Sequence, residues 1–91
     1  MKVYNMNKDN GIPYDAIYIG RGSPWGNPYV IGKDGNRLEV IKKYRVWAYN
    51  KFVEDQGYGI DWLESLRGKD LVCFCAPSAC HGDVLLEMIG G

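Results

Sequence analysis

The sequence predicts a small single-domain α/β protein spanning residues 1–91, with a short, mostly parallel sheet of roughly three to four strands and flanking helices in two or three layers. Two short apolar segments, residues 16–20 and 71–75, are typical of buried strands. About fifty residues separate them and carry one long helical pattern, which suits a parallel βαβ connection. A chain of 91 residues has room for one hydrophobic core, so one domain is expected.

Strands and loops follow from composition along the chain. Residues 2–6 predict a first strand, and the wholly apolar run at residues 16–20 predicts a strand at the centre of the sheet. Prolines and glycines exclude a helix from residues 21–32, so a structured loop is expected there.

The helical predictions come from hydrophobic periodicity. A long helix is expected at residues 37–54, with Asn36 as its N-cap and Glu39 in the capping-box position. A short helical turn at residues 61–66 and a last helix at residues 80–89 complete the fold. The apolar residues of the long helix, which recur every three or four positions, are Leu38, Ile41, Tyr44, Ala48 and Phe52, flanked by Val40 and Trp47.

The chain is electrically balanced, with 11 Lys and Arg residues against 11 Asp and Glu residues. Duplex nucleic acid is not an expected partner, because binding it depends on neutralising phosphates. No apolar segment approaches the ~20 residues of a membrane span, and the N-terminus lacks the apolar region of a signal peptide. We therefore expect a cytoplasmic protein with no membrane partner and no cofactor. The many aromatic residues leave a homodimer open.

All three cysteines and the only histidine lie within residues 71–86. Three crowded cysteines are badly spaced for a disulfide framework, so reduced thiols are expected. Cys80 is placed in the first turn of the last helix, where free N–H groups and the helix dipole lower the pKa of a thiol and favour the thiolate. His81 beside it can pair with that thiolate or donate to an anion.

Three interpretations of this cluster stay open. Cys73 alone is typical of a small buried hydrophobe. All three cysteines and His81 are legitimate zinc ligands, but Cys-x-Cys along a strand is not the usual Cys-x2-Cys knuckle, so no metal is predicted. The favoured interpretation makes Cys75, Cys80 and His81 candidate catalytic residues of an organic-ligand pocket, with one thiolate as nucleophile or polar contact. Asp83 is expected to cap the helix, with contact to a ligand as the alternative.

A second motif, residues 21–28, reads RGSPWGNP and follows directly on a predicted strand. Arg21 offers a planar fork for phosphate or carboxylate, and Trp25 offers a flat surface for stacking on a base or sugar. Asn27 can read amide or base edges, and the glycines permit close backbone approach. The alternative is a rigid loop in which Trp25 plugs the core. The predicted ligand-binding residues are Arg21, Gly22, Ser23, Trp25, Asn27 and, from the last helix, Asp83.

If the strands before the two motifs are parallel, their following loops face each other across one edge of the sheet. The predicted function is therefore a small-ligand-binding domain that recognises an anionic or nucleotide-like molecule between residues 21–27 and the N-terminus of the last helix. The partner is a small-molecule ligand, although no Walker or Rossmann glycine pattern marks a nucleotide site in the strict sense. Two alternatives stay open: a thiolate-dependent transferase or hydrolase acting on a nucleotide or glycosidic bond, and a zinc-stabilised interaction module.

Three segments resemble one family: AIYIGRGSPWGNPYVIG, RLEVIKKYRVW and LRGKDLVCFCAPSACHGDVLLEM. In order and spacing they are similar, over residues 14–88, to the small phage and bacterial family labelled domain of unknown function 4326 (DUF4326). Its two patterns map without a gap onto residues 20–28 and 73–83. The resemblance implies no established activity. It implies that the two motifs belong together in a phage or bacterial intracellular protein, which in a phage could modify or sequester a nucleotide in the host cytoplasm.

Overall fold

A three-stranded parallel sheet organises the fold, which the computed structural model describes for residues 2–74 and 80–90. Its strands, in chain order, are β1 (Val3–Asn5), β2 (Ile17–Tyr18) and β3 (Leu71–Cys73). They lie in the order β1–β3–β2, and the parallel register matches Leu71 with Val3 on one side and with Ile17 on the other. The predicted α/β class and the parallel βαβ connection are confirmed.

Both helices pack on one face of the sheet, so the described residues form two layers. The helical elements are α1 (Arg37–Gly57), a 3-10 turn (Glu64–Leu66) and α2 (His81–Met88). Side chains alternate along β3, so that Leu71 and Cys73 join the hydrophobic core with residues of both helices. Val72 points to the opposite face, where it lies in a cross-strand row between Tyr4 and Tyr18.

The central strand is β3, so the prediction that residues 16–20 form the central strand is wrong. All three residues of β3 are buried, whereas both residues of β2 are half-buried at the edge of the sheet. The apolar character of this segment has another cause, because Ile19, just after β2, is fully buried in the core. Its amide donates to the Val72 carbonyl (2.9 Å), and its carbonyl oxygen accepts a hydrogen bond from the His81 ring.

Helix α1 begins at the predicted residue because Asn36 caps it. The Asn36 side chain accepts a hydrogen bond from the Glu39 amide (2.9 Å), and the Glu39 carboxylate accepts one from the Asn36 amide (3.0 Å), which confirms the capping box. Leu38, predicted on the buried face, is 67% exposed instead. It lies two residues before the buried Val40, which places it about 200° around the helix axis from that side chain.

Replacing the cap in Asn36→Ala is expected to lower the free energy of unfolding by about 1 kcal/mol, because the Glu39 amide loses its acceptor. The urea midpoint measures the change. Asn50→Ala is the matched control, since Asn50 is exposed in the interior of α1 and alanine raises helix propensity there by a few tenths of a kcal/mol. Equal midpoints for the two variants would contradict the cap.

Helix α2 follows β3 and completes the core. Predicted at residues 80–89, it spans His81–Met88 and has Cys80 as its N-cap. Val84 and Leu85 are fully buried in the core cluster with residues of α1 and β3. In the described ranges, no helix has the length and apolar character needed to cross a membrane.

Candidate functional site

A cavity of about 260 Å³ lies at the carboxyl edge of the sheet. Strands β2 and β3 end at this edge. Helix α1 begins there because a helix that connects parallel strands runs back antiparallel to them, and α2 begins there because it follows β3. Residues of both sequence motifs line this cavity. Arg21 and Asn27 come from the loop after β2, while Cys80 and His81 come from the start of α2.

The described lining carries positive charge. Its charged residues are Arg21, in the loop after β2, and Arg37, the first residue of α1, and no described lining residue is a carboxylate. The N-termini of α1 and α2 add the positive ends of two helix dipoles, each partly balanced by a carboxylate of the first turn, Glu39 in α1 and Asp83 in α2. An anion is the ligand that this distribution of charge favours.

Aromatic rings form another part of the lining. Tyr18 and Phe74 meet edge to face with their ring centroids 6.0 Å apart, and Phe74 is 52% exposed. The Tyr18 hydroxyl donates to the Arg21 carbonyl (3.1 Å), which ties the strand to the following loop. Tyr29 lines the cavity from farther along the chain. Such rings suit the planar part of a ligand.

His81 is fixed at the wall of the cavity. The residue is buried, and its Nε2 atom lies 2.6 Å from the Ile19 carbonyl oxygen. Because a carbonyl oxygen can only accept, Nε2 donates this hydrogen bond, which leaves Nδ1 for another partner. The ring also meets the Tyr44 ring edge to face, with centroids 5.1 Å apart. Nδ1 is therefore the ring atom through which His81 can interact with a ligand.

Cys80 is paired with Cys73 inside the protein. Their sulfur atoms lie 3.4 Å apart, and both residues are buried. The hydrogen bond with Cys73, burial and the charge of a Cys73 thiolate raise the pKa of Cys80 well above its ordinary value. The Gly82 amide donates to the Cys80 sulfur (3.3 Å) and lowers this pKa by a smaller amount. The expectation that the helix N-terminus makes Cys80 a thiolate is therefore wrong, since its surroundings favour the thiol.

Two buried side chains, Cys80 and Tyr44, should make the protein less stable at alkaline pH. Burial, with a smaller contribution from Cys80, also raises the pKa of Tyr44 above its ordinary value. In the unfolded chain a thiol and a phenol lose their protons near about pH 8.5 and about pH 10. The folded protein keeps both protons there, so their stabilisation is complete below these values and falls above them. The free energy of unfolding should fall by about 1.4 kcal/mol per pH unit above about pH 8.5, and twice as steeply above about pH 10.

Urea midpoints measured between about pH 7 and about pH 11 test this slope. In Tyr44→Phe the steeper fall above about pH 10 should disappear, while the shallower fall from Cys80 stays. A free energy of unfolding that stays constant up to about pH 10 would contradict the raised pKa of Cys80.

Three predicted ligand-binding residues hold the loop after β2 in shape. Gly22 is exposed and has a φ of 89°, a backbone conformation that favours glycine. The Ser23 hydroxyl donates to the Gly20 carbonyl (2.7 Å). Trp25 packs against the core, and its indole N–H donates to the Trp62 carbonyl (2.9 Å), as the core-plug alternative requires. These three residues are not part of the cavity lining, so their contact with a ligand stays a prediction.

Asn27 lines the cavity, whereas Asp83 does not. Asn27 lines the cavity while its Oδ1 atom accepts a hydrogen bond from the Tyr29 amide (2.9 Å), and its Nδ2 atom donates to the Val40 carbonyl at 3.5 Å. Asp83 is exposed, and its carboxylate accepts a hydrogen bond from the Cys80 amide (3.1 Å) in a capping box. Asp83 thus has the capping role predicted for it, and its contact with a ligand stays a prediction.

Cys75, predicted as catalytic, lies outside the described residues. In the ranges 2–74 and 80–90, no group of three or more His, Cys, Asp or Glu side chains could hold a metal ion. Cys73 and Cys80 supply two adjacent sulfurs only. The zinc alternative therefore needs Cys75 as a further ligand, and the thiolate alternative needs a nucleophile other than Cys80.

Sequence reasoning missed several lining residues, of which Arg37, Tyr18 and Phe74 matter most. Arg37 could have been predicted from topology, because it begins the helix of a βαβ unit, and such a helix begins at the carboxyl edge of the sheet. Tyr18 and Phe74 lie at the ends of two parallel strands, which is where α/β folds bind ligands. The other missed lining residues are Gly20, Tyr29, Ile31, Val40, Ile41 and Cys73.

Fold and cavity together define a class of protein: a small two-layer α/β domain with an arginine-bearing cavity at the carboxyl edge of a parallel sheet. The chain belongs to the family described as Domain of unknown function (DUF4326), which matches residues 4–91. This confirms the resemblance carried by the two motifs.

A phage protein is among the relatives. The chain is 34% identical, over 74 residues, to an uncharacterized 12.4 kDa protein in the nrdA-td intergenic region of Enterobacteria phage T4. The match covers 80% of this chain and 66% of the phage protein, so the chain spans slightly less than two thirds of that relative. No solved structure matches the chain.

Proposed function

We propose that this protein binds a small anionic, nucleotide-like ligand in the cavity at the carboxyl edge of its sheet. The observation that carries the proposal is the charge of the lining, where Arg21 and Arg37 meet the N-termini of two helices. A guanidinium presents a planar pair of N–H donors that matches the oxygens of a phosphate. A phosphate or carboxylate group is therefore the part of the ligand that the arginines recognise.

The remaining lining supports a ligand with a planar ring. Tyr18, Tyr29 and Phe74 provide apolar faces, while Asn27 provides an amide that can orient a polar edge. The volume of about 260 Å³ lies just below the range of about 300–1,000 Å³ that is usual for ligand pockets. A mononucleotide or a smaller phosphate ester fits this volume better than a dinucleotide does.

Binding is better supported than thiolate catalysis. The pKa of Cys80 is raised by its hydrogen bond with Cys73 and by burial, so this residue lacks the activated form that a nucleophile needs. The Nε2 atom of His81 is hydrogen-bonded to the Ile19 carbonyl oxygen, so only Nδ1 is left to make a polar contact with a ligand. In a phage setting, a domain with these properties would sequester a host nucleotide.

The proposal is tested by calorimetry with inorganic phosphate, ribose 5-phosphate, nucleoside mono- and diphosphates and a dinucleotide. At least one nucleotide should bind, and Arg21→Ala should weaken it by about 10-fold or more, the value of one charged hydrogen bond. Arg67→Ala is the matched control, because this exposed arginine pairs with Asp61 outside the cavity lining. If no phosphate-bearing compound binds, or if both variants bind alike, the proposal is wrong.

A further inference from the structure

We propose that Cys73 and Cys80 form a two-electron redox pair, which closes to an intramolecular disulfide by exchange with low-molecular-weight disulfides such as glutathione disulfide. Neither residue is in a disulfide bond, and their sulfur atoms lie 3.4 Å apart. A disulfide bond is about 2.05 Å long, so the sulfurs need to approach by about 1.3 Å. This inference goes beyond ligand binding and uses neither arginine of the cavity.

The two thiols are brought together by the same elements that build the cavity. Cys73 ends β3 with its side chain on the helix face of the sheet, and Cys80 is the N-cap of α2 in extended backbone conformation. The Gly82 amide holds the Cys80 sulfur by donating to it (3.3 Å). The fold therefore holds the two sulfur atoms close together before any oxidant arrives, which is the geometric requirement for closing a disulfide.

The cavity gives a small disulfide a route to the pair. Cys73 and Cys80 are 1% and 3% exposed, respectively, so a protein surface cannot reach them. Both nevertheless line the cavity, where a small molecule can approach their sulfur atoms. The site should therefore react with low-molecular-weight disulfides and remain unreactive toward protein disulfides.

The exchange balances in two steps. The Cys73 sulfur loses its proton, attacks one sulfur of the small disulfide and releases the first small thiol, leaving a mixed disulfide. The Cys80 thiol then loses its proton and attacks the Cys73 sulfur, which expels the second small thiol. The two cysteines lose two hydrogens and two electrons, and one small disulfide becomes two small thiols. Cys80 is the second nucleophile because the hydrogen bond with Cys73, the largest cause of its raised pKa, keeps it protonated in the resting pair. In the mixed disulfide the Cys73 sulfur carries no charge to accept that hydrogen bond, while the Gly82 amide still donates to the Cys80 sulfur and favours its thiolate.

The test uses the full chain carrying Cys75→Ser, so that only the proposed pair can react. The protein is equilibrated in buffers with a series of ratios of oxidised to reduced glutathione, quenched with acid, alkylated and analysed by mass spectrometry. We expect a monomer that has lost two hydrogen atoms, with a peptide link between Cys73 and Cys80 that dithiothreitol removes. A single glutathione adduct without this link, or disulfide-linked dimers, would overturn the proposal.

The unsubstituted chain provides a second measurement that does not depend on any variant folding. Here the dominant intramolecular link should again join Cys73 to Cys80, although Cys75 is present as a competitor. A dominant link that includes Cys75 would overturn the assignment of the pair. Nucleotide affinity, measured on the reduced protein, reports on the arginine site separately, so failure of one proposal does not imply failure of the other.

Discussion

Ligand binding is expected to fall at least about 100-fold in the double variant Arg21→Ala/Arg37→Ala, because each charged hydrogen bond contributes about 1.5–3 kcal/mol. Both arginines line the cavity, and no other Lys or Arg of the described residues lines it to replace the positive charge that they supply to an anion. Both side chains are exposed, so the fold should survive their truncation. Calorimetry of the nucleotide that binds best to the unmodified protein measures the change.

Lysine substitutions at the same positions separate the contribution of positive charge to binding from that of the planar guanidinium group. Arg21→Lys/Arg37→Lys keeps the charge but loses the planar fork that matches two phosphate oxygens, so it should bind with an affinity between the unmodified protein and the alanine variant. A double alanine variant that binds within about threefold of the unmodified protein would show that another surface holds the ligand.

A methyl group at Gly82 is expected to lower the free energy of unfolding by about 1–3 kcal/mol. A Cβ atom there would lie 2.9 Å from a methyl carbon of Ile19, 2.9 Å from one of Val3 and 3.2 Å from the Cys80 sulfur. Ile19 is fully buried, so its methyl group can move aside only by repacking against other core side chains. Either these side chains or the first turn of α2 must therefore shift, and His81 in that turn lines the cavity.

Gly57→Ala is the matched control for this substitution. Gly57 is the last residue of α1, its φ is not positive, and no atom lies within 4 Å of an added Cβ. Alanine should stabilise the protein there by up to about 1 kcal/mol through helix propensity. Urea midpoints of both variants give the comparison, and an unchanged midpoint for Gly82→Ala would contradict the close packing of α2 on the sheet.

The sequence predicts the fold well where one segment decides the outcome alone. Asn36 and Glu39 lie at capping-box spacing, and that spacing is sufficient to start α1 at Arg37. The position of a strand within the sheet cannot be predicted from one segment, because it depends on which strands pair with one another. Residues 16–20 are apolar because Ile19 is buried in the core, and β2 is nevertheless an edge strand.

The candidate site was predictable only in part for the same reason. Arg21, Cys80 and His81 are recognisable because unusual residues cluster at the ends of strands, and topology then brings the two clusters to one cavity. The state of Cys80 was not predictable from its position at a helix N-terminus. Its pKa depends on Cys73, which comes within 3.4 Å only in the folded protein.

The central claim is that an anionic ligand binds at the carboxyl edge of the sheet, and mapping of backbone amide chemical shifts tests it most directly. Titration of the ¹⁵N-labelled protein with a nucleoside monophosphate should shift the amides of residues 20–21, 37–39 and 81–83, where the loop and both helices begin at the cavity. Shifts confined to residues 56–61, at the opposite end of α1, or no saturable shifts at all, would contradict it.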